Sequence, residues 1–97
     1  MNPPRFKLKI PHDTAALVRS MHPDLKRKIK AGLRAILKDS HAGKALKDEL
    51  DGLRSFRVGK FTIVYRIGTE GATIEIAAIG PRNRIYEETL RFLKKKQ

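Results

Sequence analysis

The stretch Leu53-Arg-Ser-Phe-Arg-Val-Gly-Lys-Phe-Thr-Ile-Val-Tyr65 decides the fold. Phe56 and Val58 alternate with Ser55 and Arg57, and Phe61, Ile63 and Tyr65 alternate with Thr62 and Val64. A period of two sends the two sets to opposite sides of a sheet. Gly59-Lys60 has the length of a two-residue hairpin turn, with glycine where a positive φ is needed. The stretch reads as two antiparallel strands, one side apolar and the other carrying Arg57.

Downstream, Arg66 and Ile67 continue the alternation and Gly68-Thr69-Glu70-Gly71 reads as a second turn. Thr73 to Ile79 forms a third strand, which Gly80-Pro81 breaks. Asn83 is placed to cap a last helix, with Glu87 and Glu88 at its start and Lys94, Lys95 and Lys96 at its end, an order that suits the helix dipole. Upstream, Arg5 to Ile10 alternates basic and apolar residues as a strand, ended by Pro11. Asp13 and Thr14 are candidate caps for a short helix to Met21. His22-Pro23-Asp24 opens a second helix, with Leu25, Ile29, Leu33 and Ile36 at helical spacing through Lys38. Ser40 to Leu50 is a polar connector of undefined shape. The expected architecture is α+β: β-α-α-β-β-β-α in a single domain over 1–97, a small, mostly antiparallel sheet with a helical hairpin on one face.

Alternation assigns Phe6, Leu8, Ile10, Phe56, Val58, Phe61, Ile63, Tyr65, Ile74 and Ile76 to the face that meets the helices. Arg5, Lys7, Lys9, Ser55, Arg57, Thr62, Val64, Arg66, Glu75, Ala77 and Ile79 fall on the other. That face is either a cationic surface for a phosphate backbone or an ordinary solvated face with Glu75 paired to Arg66 or Arg57.

The chain has 97 residues, with 22 Lys plus Arg against 10 Asp plus Glu and a formal net charge of +12. The excess is spread over both halves, so it belongs to the folded body and points to a polyanionic partner. Cysteine is absent, which excludes disulfides, Cys-ligated zinc and a thiol nucleophile. No apolar run approaches the roughly 18 residues of a membrane helix, and no secretory signal pattern opens the chain, so a cytoplasmic location is expected. His12, His22 and His41 show no metal spacing. In the second helix, Lys26, Lys30, Arg34 and Lys38 form an i,i+4 row of like charge. It is either solvated or a contact for an acidic surface. Arg82, just past a strand, and Tyr86, in the first turn of a helix, are placed where phosphate binds readily.

The stretch Leu53 to Tyr65, followed by Ile79-Gly-Pro-Arg-Asn-Arg-Ile-Tyr86, resembles the RelE/ParE superfamily of toxins from bacterial and archaeal toxin–antitoxin systems. The order of elements fits along nearly the whole chain. RelE-type members cut ribosome-bound messenger RNA without metal or other cofactor, through attack of the RNA 2′-hydroxyl on the adjacent phosphate. The resemblance implies Arg57, Arg82 and Tyr86 as catalytic residues, with Lys7, Lys9, Arg54, Lys60, Arg66 and Arg84 as RNA contacts. Lys26, Lys30, Arg34 and Lys38 become contacts for an antitoxin or the ribosome. It also implies a small, acidic cognate antitoxin as partner, besides ribosome and mRNA, and no membrane. Two positions depart from the family pattern: Thr62 stands where a central arginine is usual, and Pro81 where a Lys or His is frequent. The alternatives are a ParE-like inhibitor of DNA gyrase that cuts no RNA, or a catalytically degenerate RNA- or antitoxin-binding member.

Overall fold

The computed structural model describes residues 7–68 and 73–95. Chain order is β1 (Lys7–Lys9), α1 (His12–Arg19), α2 (Pro23–Lys38), β2 (Lys44–Ala45), a 3-10 turn (Asp48–Leu50), β3 (Arg54–Val58), β4 (Phe61–Ile67), β5 (Thr73–Pro81) and α3 (Ile85–Lys95). The sheet runs β1-β5-β4-β3-β2. β1 is parallel to β5 and the other pairs are antiparallel. The expected α+β architecture is the one observed, with one short strand, β2, added inside the connector. The second-turn residues 69–72, the first strand's Arg5 and Phe6, and Lys96 lie outside the described residues.

The hairpin forms as the alternation requires. Val58 pairs with Phe61 across Gly59, whose φ is 60°, the value a II′-type turn needs at its first central residue. α2 starts at Pro23, with Nδ1 of His22 accepting from the Asp24 N–H at 3.2 Å. α1 differs from expectation. It begins at His12 with Pro11 as N-cap and no side-chain capping bond, so neither Asp13 nor Thr14 caps it.

One face of the sheet receives α1 and α2. Val18, Ile29, Leu33 and Ile36 meet Ile63, Tyr65, Ile74, Ile76 and Ile79 in one apolar cluster, and Leu8 of β1 and Ile10 just after it pack against it. Gly32 lets α2 come close, because a Cβ there would lie 2.8 Å from a Val58 methyl.

The other face is not open. α3 lies on it, and Ile85 and Phe92 pack with Leu50, Leu53, Val64, Ala77 and Ala78. β5 serves both faces because of a register shift. Val64 pairs with Ala78 but Tyr65 pairs with Ile76, so Ala77 is an extra residue bulging between them. A bulge reverses the parity that follows. Ile79 therefore sits with Ile74 and Ile76 under the helical hairpin, contrary to simple alternation, and Gly80 turns to α3, where its Cβ would lie 3.8 Å from Ile85. β5 also runs on to Pro81, paired with Phe61. β1 accompanies β5 only as far as Glu75. Beyond that point the outer edge of β5 has no β1 partner, and a residue without an N–H is tolerated there.

Two polar contacts lock the layers. The Tyr65 side chain is fully buried. Its hydroxyl donates to the Ser40 carbonyl at 2.8 Å and accepts from the Gly43 N–H at 2.9 Å. A Cβ at Gly43 would stand 2.7 Å from that hydroxyl, so only glycine fits. On the α3 side, Arg66 binds a Glu75 carboxylate oxygen at 2.7 Å and lies 5.6 Å from the centre of the Phe92 ring. Among the described residues no helix is long and apolar enough to cross a membrane.

Tyr65→Phe removes both hydroxyl bonds from buried backbone groups. It should lower unfolding free energy by about 2 kcal/mol, read as a lower urea midpoint at unchanged m value. Arg66→Gln removes a charge-assisted pair and a ring contact, with the arginine side chain 37% exposed. Solvent screening limits its expected loss to about 1 kcal/mol in the same measurement.

Candidate functional site

The sheet face under α3 is covered only in part. Beside α3, at the β2–β3 side, the strands leave a groove of about 320 Å³. Its residues come from two cross-strand rows. Lys44, Ser55 and Val64 stand in one, and Arg57 and Thr62 in the next, which continues to Gly80. Residues paired across antiparallel strands share a face, so these side chains converge on one side. Arg82 follows Gly80 by two residues, and the bulge at Ala77 has already set that parity toward α3. Tyr86 and Thr89 of α3, with Ile85 at its base, form the far wall.

Arg57 and Arg82 are both exposed and both line the groove. β3 and β5 flank β4 and lie about 10 Å apart, with Arg57 on β3 and Arg82 in the turn directly after β5. Two guanidinium groups on side chains of that length reach a common anion between them. Lys44 adds a third cation at the end of β2, and no carboxylate lines the groove among the described residues. Thr62 is on the floor, 7% exposed, where a longer basic side chain would project into the space. Tyr86 is 62% exposed. Its ring is not part of the core, and its face and hydroxyl are open to a ligand. The turn that carries Arg82 is closed by the Arg84 N–H donating to the Pro81 carbonyl at 2.9 Å. α3 then begins with Glu87 and Glu88 in its first turn.

The other sequence-derived positions are dispersed. Arg54 is half-buried and structural: its Nε donates to the Gly43 carbonyl at 2.9 Å and an Nη to the His41 carbonyl at 3.2 Å. Arg66 is held by Glu75 and Phe92. Lys7 and Lys9 are exposed on β1, at the opposite edge of the sheet, in register with Thr73 and Glu75. Glu75 precedes Arg82 by seven residues, about 23 Å at strand rise. Lys60 and Arg84 are exposed near the groove's end but do not line it. Lys26, Lys30, Arg34 and Lys38 are on α2, which packs on the other side of the sheet. Conversely, Lys44 was not singled out from the sequence. Its one signal is the neighbouring Gly43, whose close approach to Tyr65 fixes where β2 begins.

This geometry can be set beside known proteins. A family model described as the ParE toxin of type II toxin–antitoxin systems (parDE) matches residues 8–86. No curated protein matches the chain. Among solved structures, the RelBE2 toxin–antitoxin complex from Mycobacterium tuberculosis superposes with a TM-score of 0.71 at 22% identity, covering 82% of this chain and 100% of the other. A free-state mutant of the Escherichia coli toxin RelE gives 0.71 at 15% identity, covering 92% and 97%. A YoeB/ParE toxin from Agrobacterium tumefaciens gives 0.70 at 21% identity, covering 79% and 99%. At these identities the superpositions speak for the fold, while the family match spans residues 8–86 and takes in both Arg57 and the Arg82–Tyr86 turn. The chain belongs to the ParE toxin family of type II toxin–antitoxin systems.

Proposed function

We propose that this toxin is an endoribonuclease that cuts messenger RNA on the ribosome by 2′-hydroxyl attack. The observation that carries the reading is the convergence of Arg57, Arg82 and exposed Tyr86 on one carboxylate-free groove. In the reaction the 2′-oxygen bonds to the adjacent phosphorus and the bond from phosphorus to the 5′-oxygen breaks. The products are a 2′,3′-cyclic phosphate and a 5′-hydroxyl. Water in the open groove takes the proton of the 2′-hydroxyl and one is delivered to the departing 5′-oxygen, so charge on the phosphoryl oxygens peaks between the two events. Arg57 and Arg82 are assigned to hold those oxygens, where fixed cations act most strongly in the transition state. Lys44 contributes charge at the groove's other end. Tyr86 is assigned to stack on a flanking base and to exchange a proton with the leaving oxygen.

The proposed protein partner is a cognate antitoxin, the arrangement named for the RelBE2 complex. Tyr86, in the groove wall, and Leu90, one turn further along α3, are both exposed and offer apolar anchors beside the groove. A protein seated there would close the groove. One observation favours a second reading: Thr62 leaves the groove floor without a cation, which suits a toxin that inhibits DNA gyrase and cuts nothing.

Inducing the toxin without antitoxin should arrest growth and create new 5′ ends in cellular messages, mapped by primer extension. Arg82→Ala should lower cleavage by about 100-fold, as expected for loss of one transition-state donor. Growth arrest with intact messages and a block in DNA supercoiling would replace this reading with the second.

A further inference from the structure

Helix α2 carries Lys26, Lys30, Arg34 and Lys38 at four-residue intervals. Each interval is a rise of about 6 Å, so the row is about 18 Å long and winds slowly around the helix. Lys30, Arg34 and Lys38 are exposed, and Lys26 is half-buried. The buried side of α2, made by Ile29, Gly32, Leu33 and Ile36, faces the sheet. The row therefore points away from the sheet, on the opposite side of the molecule from the groove beside α3. The one carboxylate of α2, Asp24, is bonded to Arg27. Among the described residues no ion pair reaches the row. Successive like charges at this spacing repel by a few tenths of a kcal/mol per pair.

The chemistry of this surface discriminates between two kinds of partner. Protein interfaces centre on aromatic and apolar anchors and are poor in lysine. The outer side of α2 offers no such anchor. The exposed large apolar side chains among the described residues are Leu17, Tyr86 and Leu90, none of them on α2 and two of them on α3. A phosphate backbone needs regularly spaced cations and no apolar contact. A rigid, evenly spaced row fits a strand held in a helix better than a flexible single strand. We propose that α2 is a second RNA-binding face, which grips the phosphates of structured, double-helical RNA while the groove remains free for a single strand. This does not depend on the cleavage reaction and holds equally for a toxin that never cuts.

The test compares three full-length proteins: wild type, K30Q/R34Q/K38Q, and a control that removes as many exposed cations elsewhere, R19Q/K47Q/K94Q. Each binds an RNA duplex of roughly 20 base pairs, longer than the row, across a salt series. A phosphate contact contributes close to one unit to the slope of log affinity against log salt. The α2 variant should flatten that slope by about 2 to 3 and bind at least about 10-fold more weakly at low salt. The control should move the slope by less than about 1. Thermal unfolding of the α2 variant should be unchanged or raised, since repulsion is relieved, which separates lost binding from lost fold. Equal slopes for the α2 variant and either wild type or control overturn the proposal. So does intact duplex binding together with lost antitoxin binding, which would assign the row to an acidic protein.

Discussion

The extra residue at Ala77 governs how the molecule is built. A regular β5 could offer one parity of side chains to each layer along its whole length. With Ala77 inserted opposite the Val64–Tyr65 step, the strand gives Ile74, Ile76 and Ile79 to the helical hairpin and the small Ala77 and Ala78 to α3. Small side chains at the bulge let α3 approach, and Phe92 and Ile85 bury themselves there. Burying side chains of that size is worth about 1.5–3 kcal/mol each. The same shift turns Gly80, and after it Arg82, to the side of the sheet that carries Arg57. Packing and site geometry thus share one cause.

The charge of the chain resolves into distinct surfaces. Some cations are internal to the fold: Arg66 closes α3 onto β4 through Glu75 and Phe92, and Arg54 ties the loop before β2 to the sheet. Others, in the groove and along the Lys26–Lys38 row, make no ion pair among the described residues. A same-sign field of this kind opposes folding by self-repulsion. It is sustained by two apolar clusters and by the Tyr65 hydroxyl, which holds the Ser40–Gly43 loop against the core.

Much of this was legible in the residues, for identifiable reasons. The β3–β4 hairpin has a full alternating pattern and a glycine at its turn. α2 has apolar residues at helical spacing and a proline at its start. These signals are local and survive in the folded chain. β2 was not legible, because two residues cannot display a period and its position is set by Tyr65, more than twenty residues away in sequence. Nor was the bulge, since Ala77-Ala78 fits either parity. Without it, Ile79 was assigned to the wrong face. An amphipathic pattern in α3 says that one side is buried but not against what, so the sheet face was expected to be open. Arg57 and Arg66 share a parity and looked equivalent. Their registers separate them, because Arg66 pairs with Glu75 and Arg57 with Thr62. Arg82 and Tyr86 stood out as a phosphate site at a strand-to-helix turn, and their catalytic role, with that of Arg57, was named through the family resemblance. That they border one groove follows from the strand order and the bulge.

The central claim is that Arg57 and Arg82 act on the same phosphate. A double-mutant cycle measures it directly: kcat/KM for cleavage of ribosome-bound message by wild type, Arg57→Ala, Arg82→Ala and the double variant. Two cations on one developing charge should be non-additive, with the double variant losing less than the product of the single losses and a coupling of at least about 1 kcal/mol. Strictly multiplicative losses, or single variants that cut as fast as wild type, would contradict the account.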